Sequence, residues 1–409
     1  MIKIRLIFKI VLIFVFLVGG LFQFFGLLSN TISTILISAV FLMLGLSGRA
    51  KKNIEISVIP YIILFTIIVI SAFINGTKSI FLLLYAFSFA LVPFSIWKFI
   101  ATRIVDKIDF AKLIKLFIFV GIIQLPVLLI QQTFGAQMVM LSVRPLAPED
   151  VAFGTFFFAN DHGLCFFILS MILYLLYDKN GIVHKRRWFL VIWFSFTIVI
   201  ANSNISFLLL LIVLVGYIIP RLKPQGFFLA LTFSLMVGIS FLLFPSLGSM
   251  VIEKYEHIEM KLIATGDNTW DDAQTNIEKG MPERSDILMY YQMQEFKYIG
   301  DGPYTYFDPL LGKFVLFKNF SQYLWFYNDL GIIGVISVLI VYLNFYFANC
   351  KLFDYKLYFL ILIVVYAFFA NTLSDLSFNI IFALFLLKDS KQRKNNSNEH
   401  SLHSIPRLA

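Results

Sequence analysis

The sequence predicts an all-α polytopic membrane protein of about twelve transmembrane helices, with one large outer loop that contains short helices. Three observations lead there. Of 409 residues, 59% are apolar and 14% are charged, and the mean hydropathy is +0.85; soluble domains average about 45–50% apolar and about 25% charged. The apolar residues come in runs close to the ~20 that a helix needs to cross the hydrocarbon of a bilayer. Basic residues recur between alternate runs, as they do in cytoplasmic loops. The 48 phenylalanines suit lipid-facing surfaces.

Taken in order, residues 1–134 hold five spans, near 9–27, 30–47, 57–74, 79–97 and 116–134. The stretch Met1–Leu28 lacks a small-x-small cleavage site, so it reads as a first span and not as a signal peptide. An outer loop, 135–160, carries Arg144. Four spans follow in 161–245, near 161–177, 188–202, 205–220 and 226–245. The large outer loop covers 246–323. Three spans close the membrane part in 324–388, near 324–348, 357–373 and 376–388. The tail, 389–409, is polar and rich in Asn, Lys and Ser, a composition that does not fold by itself.

Charge sets the orientation. With the N-terminus inside and strict alternation, about 24 of the 33 basic residues fall on the inner side, and every inner connection carries some of them. Both termini are then cytoplasmic, and the loops 135–160 and 246–323 face outward. The net charge of +9 follows from these inner loops, so no nucleic-acid partner is expected. Cys165 and Cys350 both lie in apolar runs and make no disulfide framework or metal site. No GxxxxGK or HExxH motif is present, and Asp271-Asp272 is not followed by a soluble nucleotide-sugar domain. An outer-face reaction therefore calls for a donor already activated and carried by a lipid, with no cofactor and no metal expected.

The outer face is acidic in balance, so Arg144 and Arg284 stand apart there. A guanidinium offers a planar fork of donors that matches phosphate oxygens and keeps its charge. Arg284 sits at the start of a predicted helix, with Pro282 before its first turn and Gly300 past its end. A cation there opposes the helix dipole, which an anion-binding site would offset. Gly300-Asp301-Gly302-Pro303 reads as a tight turn able to approach a ligand. Asn160, Asp161 and His162 stand at the outer mouth of a span, where ionisable groups are functional candidates; His162 equally suits a satisfied interfacial histidine. Ser203 and Asn204 break the apolar region 188–220, and Asn371, Asp375 and Asn379 read as turn formers.

In order and spacing these residues resemble the O-antigen polymerase and ligase superfamily of bacterial membrane glycosyltransferases, best from about Arg144 to Gly334. The matching elements are Arg144, Gly154 and Asn160 with Gly163, then Asn202-Ser203-Asn204. Arg284, Gly300 and Gly302, Tyr323 and the helix start Asp329-Leu330-Gly331-Ile332-Ile333-Gly334 complete the pattern. Ligases of the superfamily usually carry a His-Asn pair about eleven residues before the first glycine of that helix; here that place is Phe320-Ser321, which points to the polymerase branch. The resemblance implies undecaprenyl-pyrophosphate-linked oligosaccharides as partners, the lipid bilayer as medium, and room for a chain-length regulator protein. It implies catalytic roles for Arg284, Arg144 and His162, and substrate-binding roles for Asn160, Gly300, Gly302, Tyr323 and Ser203. The general base stays open among His162, Asp161, Glu149, Asp301 and Asp329.

The orientation is testable by thiol labelling. With Cys165 and Cys350 replaced, single cysteines at positions 144 and 284 are expected to react with a membrane-impermeant maleimide added outside intact cells, and labelling only after permeabilisation would invert the topology.

Overall fold

The computed structural model describes residues 2–46, 57–105, 109–141, 151–156, 161–177, 186–201, 203–218, 275, 295–305, 307–308, 313–314, 321–350 and 355–387. The chain divides into two compact units. Met1–Leu210, Lys297–Phe314 and Lys318–Ala409 form one; Leu211–Phe296 and Val315–Phe317 form the other. The first holds nearly all the described helices and the candidate site. The second holds the last turns of one helix, to Ile218.

The described residues are predominantly helical. Apolar runs fold as helices because a helix satisfies its own backbone where water is absent. Helix α1 runs from Ile2 to Ile13 and continues through a π turn, Phe14–Val18, into Gly19–Phe24. Then come α2 (Asn30–Leu46) and α3 (Ile59–Ile74). Helix α4 joins Ser79–Ala86 to Val92–Phe99 through a π turn, Phe87–Leu91, and ends in a second, Ile100–Ile104. Next are α5 (Phe110–Thr133), the short α6 (Gly135–Leu141), α7 (Asp161–Tyr177), α8 (Arg187–Ile200) and α9 (Asn204–Ile218). The series ends with α10 (Gln322–Asn349), α11 (Leu357–Tyr366) and α12 (Leu376–Leu387). Among the described residues, extended pairing is confined to a two-residue antiparallel ladder, β1 (Phe307–Asp308) with β2 (Lys313–Phe314).

Four helices, Ile4–Phe24, Ser79–Ile104, Phe110–Thr133 and Gln322–Asn349, are long and apolar enough to cross a membrane. Seven shorter apolar helices of 10–17 residues accompany them. Together these lie where eleven of the expected spans fall; the span expected at 226–245 is outside the described residues. Boundaries shift where side chains intervene. The run expected to end near 97 continues to Ile104. The span expected over 357–373 stops being helical at Tyr366: the Tyr323 hydroxyl takes the Val364 carbonyl, and the N–H groups of Phe368 and Phe369 turn to carbonyls three residues back. The helix expected to reach Gly300 is not helical from Glu295 onward.

Two helices form the centre. Residues Gly163–Leu176 of α7 and all of α12 are buried on every side, as expected of helices that are apolar all round. Phe382 of α12 packs against Trp97, Tyr342 and Phe345, and Phe385 against Phe359 and Phe117. The surrounding helices turn apolar faces outward at helical spacing: Ile62, Phe65 and Phe73 on α3; Phe189, Ile192 and Phe196 on α8; Leu208, Ile212 and Val215 on α9. An apolar exterior this extensive is unfavourable in water and suits lipid.

Two helix irregularities show how the bundle handles backbone groups. Pro126 inside α5 has no N–H for the carbonyl of Ile122; Trp193 of α8 donates its indole N–H to that carbonyl at 3.2 Å. Helix α10 breaks at Gly331, whose φ of 73° and ψ of −169° lie in a region essentially reserved for glycine.

Gly331→Ala is expected to cost about 1–3 kcal/mol in backbone strain and more through collision with the carbonyl of Tyr298. Gly76→Ala, at φ 62° but with open space around it, is expected to cost only about 1 kcal/mol. Thermal unfolding of the two variants in detergent checks the ranking.

Candidate functional site

Three non-helical segments gather at one end of the first unit. Residues 151–156 reach Gly20, near the end of α1, through the carbonyl of Thr155. Residues 297–305 reach Asn75, just past α3, through the carbonyl of Gly300. Residues 367–375 reach the start of α10 through the bond from the Gln322 N–H to the Ala367 carbonyl. Backbone that leaves the helix inside an apolar bundle needs partners for its N–H and C=O groups, and side-chain amides supply many of them.

In the first segment every residue from Val151 to Phe156 is buried. Gln131 holds Gly154 twice, accepting from its N–H and donating to its carbonyl, both at 2.8 Å. Two helical turns earlier on α5, Gln124 accepts from the Thr155 N–H at 3.0 Å. The Thr155 hydroxyl donates to the carbonyl of Phe16 at 2.6 Å. Residues 151–156, within the stretch the sequence reads as an outer loop, are thus packed into the bundle.

The second segment closes the break in α10. The N–H groups of Asp301 and Gly302 donate to the carbonyls of Asn328 and Asp329, and the N–H of Ile332 donates to the carbonyl of Lys297. Ser71 of α3 adds a bond to the Asp329 carbonyl at 2.7 Å. The Asp329 carboxylate, fully buried, accepts from the Trp325 indole, the Asn328 amide, the Tyr304 N–H and the Thr305 hydroxyl, at 2.8–3.1 Å. Tyr304 is held at φ 59°, a left-handed conformation rare outside glycine. Lys297 pairs with Asp301 at 2.6 Å.

Beside the third segment lies a polar cluster at the mouth of α7. His162 Nδ1 stands 3.5 Å from the Asp161 carboxylate and 3.4 Å from the Ser203 hydroxyl. The Ser206 hydroxyl donates to Ser203 at 2.8 Å and meets the Tyr366 hydroxyl at 2.7 Å. Ser206 and Tyr366 are fully buried, whereas the side chains of His162 and Asp161 remain 14% and 26% exposed. The string therefore runs from the core to an accessible acid and imidazole, groups suited to moving or donating a proton. Behind them Asp375 caps α12, accepting from the N–H of Ser377 at 2.7 Å, from its hydroxyl, and from the N–H of Phe378. A side chain on Gly163 would meet the Ser377 hydroxyl at 2.8 Å, so α7 and the start of α12 touch there.

The sequence-predicted residues separate into groups. His162 and Ser203 come together, with Asp161 beside them. Gly300 and Gly302 do allow close approach, but the neighbours are the chain's own: the α10 backbone at Asn328–Leu330 for Gly300, Asn75 and Thr77 for Gly302. Tyr323 is buried, with its hydroxyl on the Val364 carbonyl at 3.1 Å and its ring against Phe368. Arg144, Arg284, Asn160 and Glu149 lie outside the described residues. Sequence reading passed over Ser206 and Tyr366, single polar groups in apolar runs. Ser206 lies three residues after Ser203, on the same helix face, which was the available signal. Among the described residues no group of three or more His, Cys, Asp or Glu is arranged to hold a metal ion.

Burial pushes the Asp375 carboxyl up to about 6, against the pull of its bonds from Ser377 and Phe378. A raised pKa means that ionisation is harder in the folded state than in the unfolded chain. The contribution is thus present at low pH and is lost as pH rises from about 4 to about 6. The thermal midpoint of the wild type relative to Asp375→Asn is expected to fall as pH rises from about 4 to about 6; a constant difference across that range would contradict the assignment.

No family model, curated protein or solved structure matches the chain.

Proposed function

We propose that the protein is an oligosaccharide repeat-unit polymerase of the bacterial cytoplasmic membrane, built of about twelve spans with both termini in the cytoplasm. It joins undecaprenyl-pyrophosphate-linked oligosaccharides on the outer face. The observation that carries this reading is the Asp161–His162–Ser203 cluster, partly accessible at the end of an otherwise apolar bundle. It sits in a chain whose outer loops the sequence furnishes with two isolated arginines. In the reaction an acceptor hydroxyl oxygen bonds to the anomeric carbon of the donor sugar. The bond from that carbon to the diphosphate oxygen breaks, and the hydroxyl proton passes to a base. Arg284 and Arg144 neutralise diphosphate charge; removing one such contact costs about 3 kcal/mol, or roughly a hundredfold in rate.

The proton chemistry narrows among the sequence candidates. Asp329 is sealed by four donors and Asp301 is paired with Lys297, which leaves Asp161 and His162 as the described candidates for the base. A ligase is the nearest alternative, disfavoured by Phe320-Ser321 where ligases carry His-Asn; Ser321 serves as the N-cap of α10, accepting from the Leu324 N–H. A lipid-linked-sugar transporter draws support from the broken helix α10, since such helices form substrate sites in transporters. The break, however, has its carbonyls and N–H engaged by residues 297–302, which speaks for an anchor and against a carrier site.

Arg284→Ala is expected to abolish long polysaccharide in cells while leaving the protein in the membrane, and Arg284→Lys to restore little, because a point charge lacks the fork. Purified protein given lipid-linked repeat units is expected to form polymer without ATP. Normal chain length in Arg284→Ala cells counts against the role; unattached long chains in a deletion strain favour the ligase.

A further inference from the structure

The two oxygens of the Asp375 carboxylate are used differently. Oδ1 accepts from the N–H and the hydroxyl of Ser377 and from the N–H of Phe378. Oδ2 accepts no hydrogen bond among the described residues, although the side chain is only 3% exposed. Capping α12 needs a single acceptor oxygen, which Ser or Asn supplies as well as Asp. The cap therefore leaves the second oxygen without a structural task, in a place where an ionised carboxylate is costly to hold. That oxygen has a defined outlook. A Cβ built on Gly163 would lie 3.7 Å from it, so Oδ2 faces the first turn of α7, which also carries Asp161 and His162. Burial raises the Asp375 carboxyl to about 6, against the pull of Ser377 and Phe378, and a base acts best when its pKa lies near the working pH. No cation acts on the group among the described residues. On the elements around it the titratable groups are Asp161, His162 and Cys165 of α7, Tyr366 of α11, and Tyr323 and Tyr342 of α10; α12 carries none.

We propose that Asp375 is the general base: Oδ2 takes the proton of the acceptor hydroxyl as that oxygen bonds to the anomeric carbon of the donor. This rests on the polymerase reading. The bond from the anomeric carbon to the diphosphate oxygen breaks, and its electron pair leaves with the diphosphate. Asp375 then releases the proton to water. The structure thus adds a candidate that the sequence presents as a turn former. Asp161 stands differently, open to solvent and 3.5 Å from the His162 ring. Ser377 is a positioning residue: its hydroxyl and N–H hold Oδ1, which leaves Oδ2 turned toward α7 and lowers the pH at which the carboxyl ionises.

The test follows polymer formation by the purified full-length protein in lipid nanodiscs, supplied with lipid-linked repeat units, from about pH 5 to about pH 8. The wild-type rate is expected to rise about tenfold per unit below about pH 6 and to level off above it, since a base must be ionised to act. Ser377→Ala removes a hydrogen bond that favours ionisation and is expected to move this limb to higher pH. Asp375→Asn keeps an oxygen for the cap. It is expected to retain its thermal midpoint within a few degrees at neutral pH and its KM, to lose about a hundredfold or more in kcat, and to lose the limb. A purely structural Asp375 predicts the reverse: an active Asp375→Asn and a limb that Ser377→Ala leaves in place. Either result, or a wild-type rate level across pH 6, overturns the proposal. Should Asp375→Asn fail to fold, the wild-type and Ser377→Ala profiles decide by themselves. If the wild type forms no polymer at any pH, the polymerase reading fails and this assignment with it.

Discussion

The structure depends on one constraint: inside an apolar bundle, a backbone that stops being helical has no water to pair with. Each unpaired N–H or C=O there costs several kcal/mol. This chain leaves the helix at several buried places and finds a side-chain partner at each. Gln131 and Gln124 take the backbone of residues 154 and 155. The Asn379 amide faces the carbonyls of Thr372, Leu373 and Asp375. These residues read as polar accidents in greasy helices, yet they make the irregular end of the bundle affordable.

The break at Gly331 shows the same constraint at its most demanding. Residues 297–305 supply donors to the carbonyls on one side of the gap and an acceptor to the N–H on the other, while the Asp329 carboxylate gathers four further donors. The consequence is mechanical. The segment that leads into the membrane part from the large loop is fixed to α10, to Ser71 and Asn75 of α3, and to the ring cluster of Tyr304, Tyr85 and Trp325. A rigid foundation of this kind holds a site in place.

What the sequence made legible follows the same physics. The membrane class and the positions of eleven helices could be read because runs of about 20 apolar residues separated by charged connections are strong signals. His162 and Ser203 could be read because ionisable and hydroxyl groups at the ends of apolar runs are conspicuous. Their meeting could not, since 41 positions separate them and nothing in local pattern says which span ends are neighbours. Asp329 illustrates the opposite case. It stood out in the sequence as a candidate base, and a carboxylate ringed by donors is indistinguishable there from a reactive one. Gln124 and Gln131 were legible in principle, seven residues apart on one face of an apolar helix, but their partner was a connecting segment that looked solvent-exposed in the sequence.

Asp329 and Asp161 together separate structure from chemistry. Both are carboxylates next to the irregular end, but Asp329 has its oxygens filled by four protein donors and is wholly buried, whereas Asp161 keeps a quarter of its side chain exposed. A carboxylate that must take up and release a proton needs lone pairs that are not committed elsewhere. The same distinction holds for hydroxyls: Ser206 is fully buried between Ser203 and Tyr366, and Ser203 stands 3.4 Å from a partly exposed ring. Asp329 and Ser206 are thus enclosed and committed to protein partners, whereas Asp161 and His162 stay partly open at the mouth of α7.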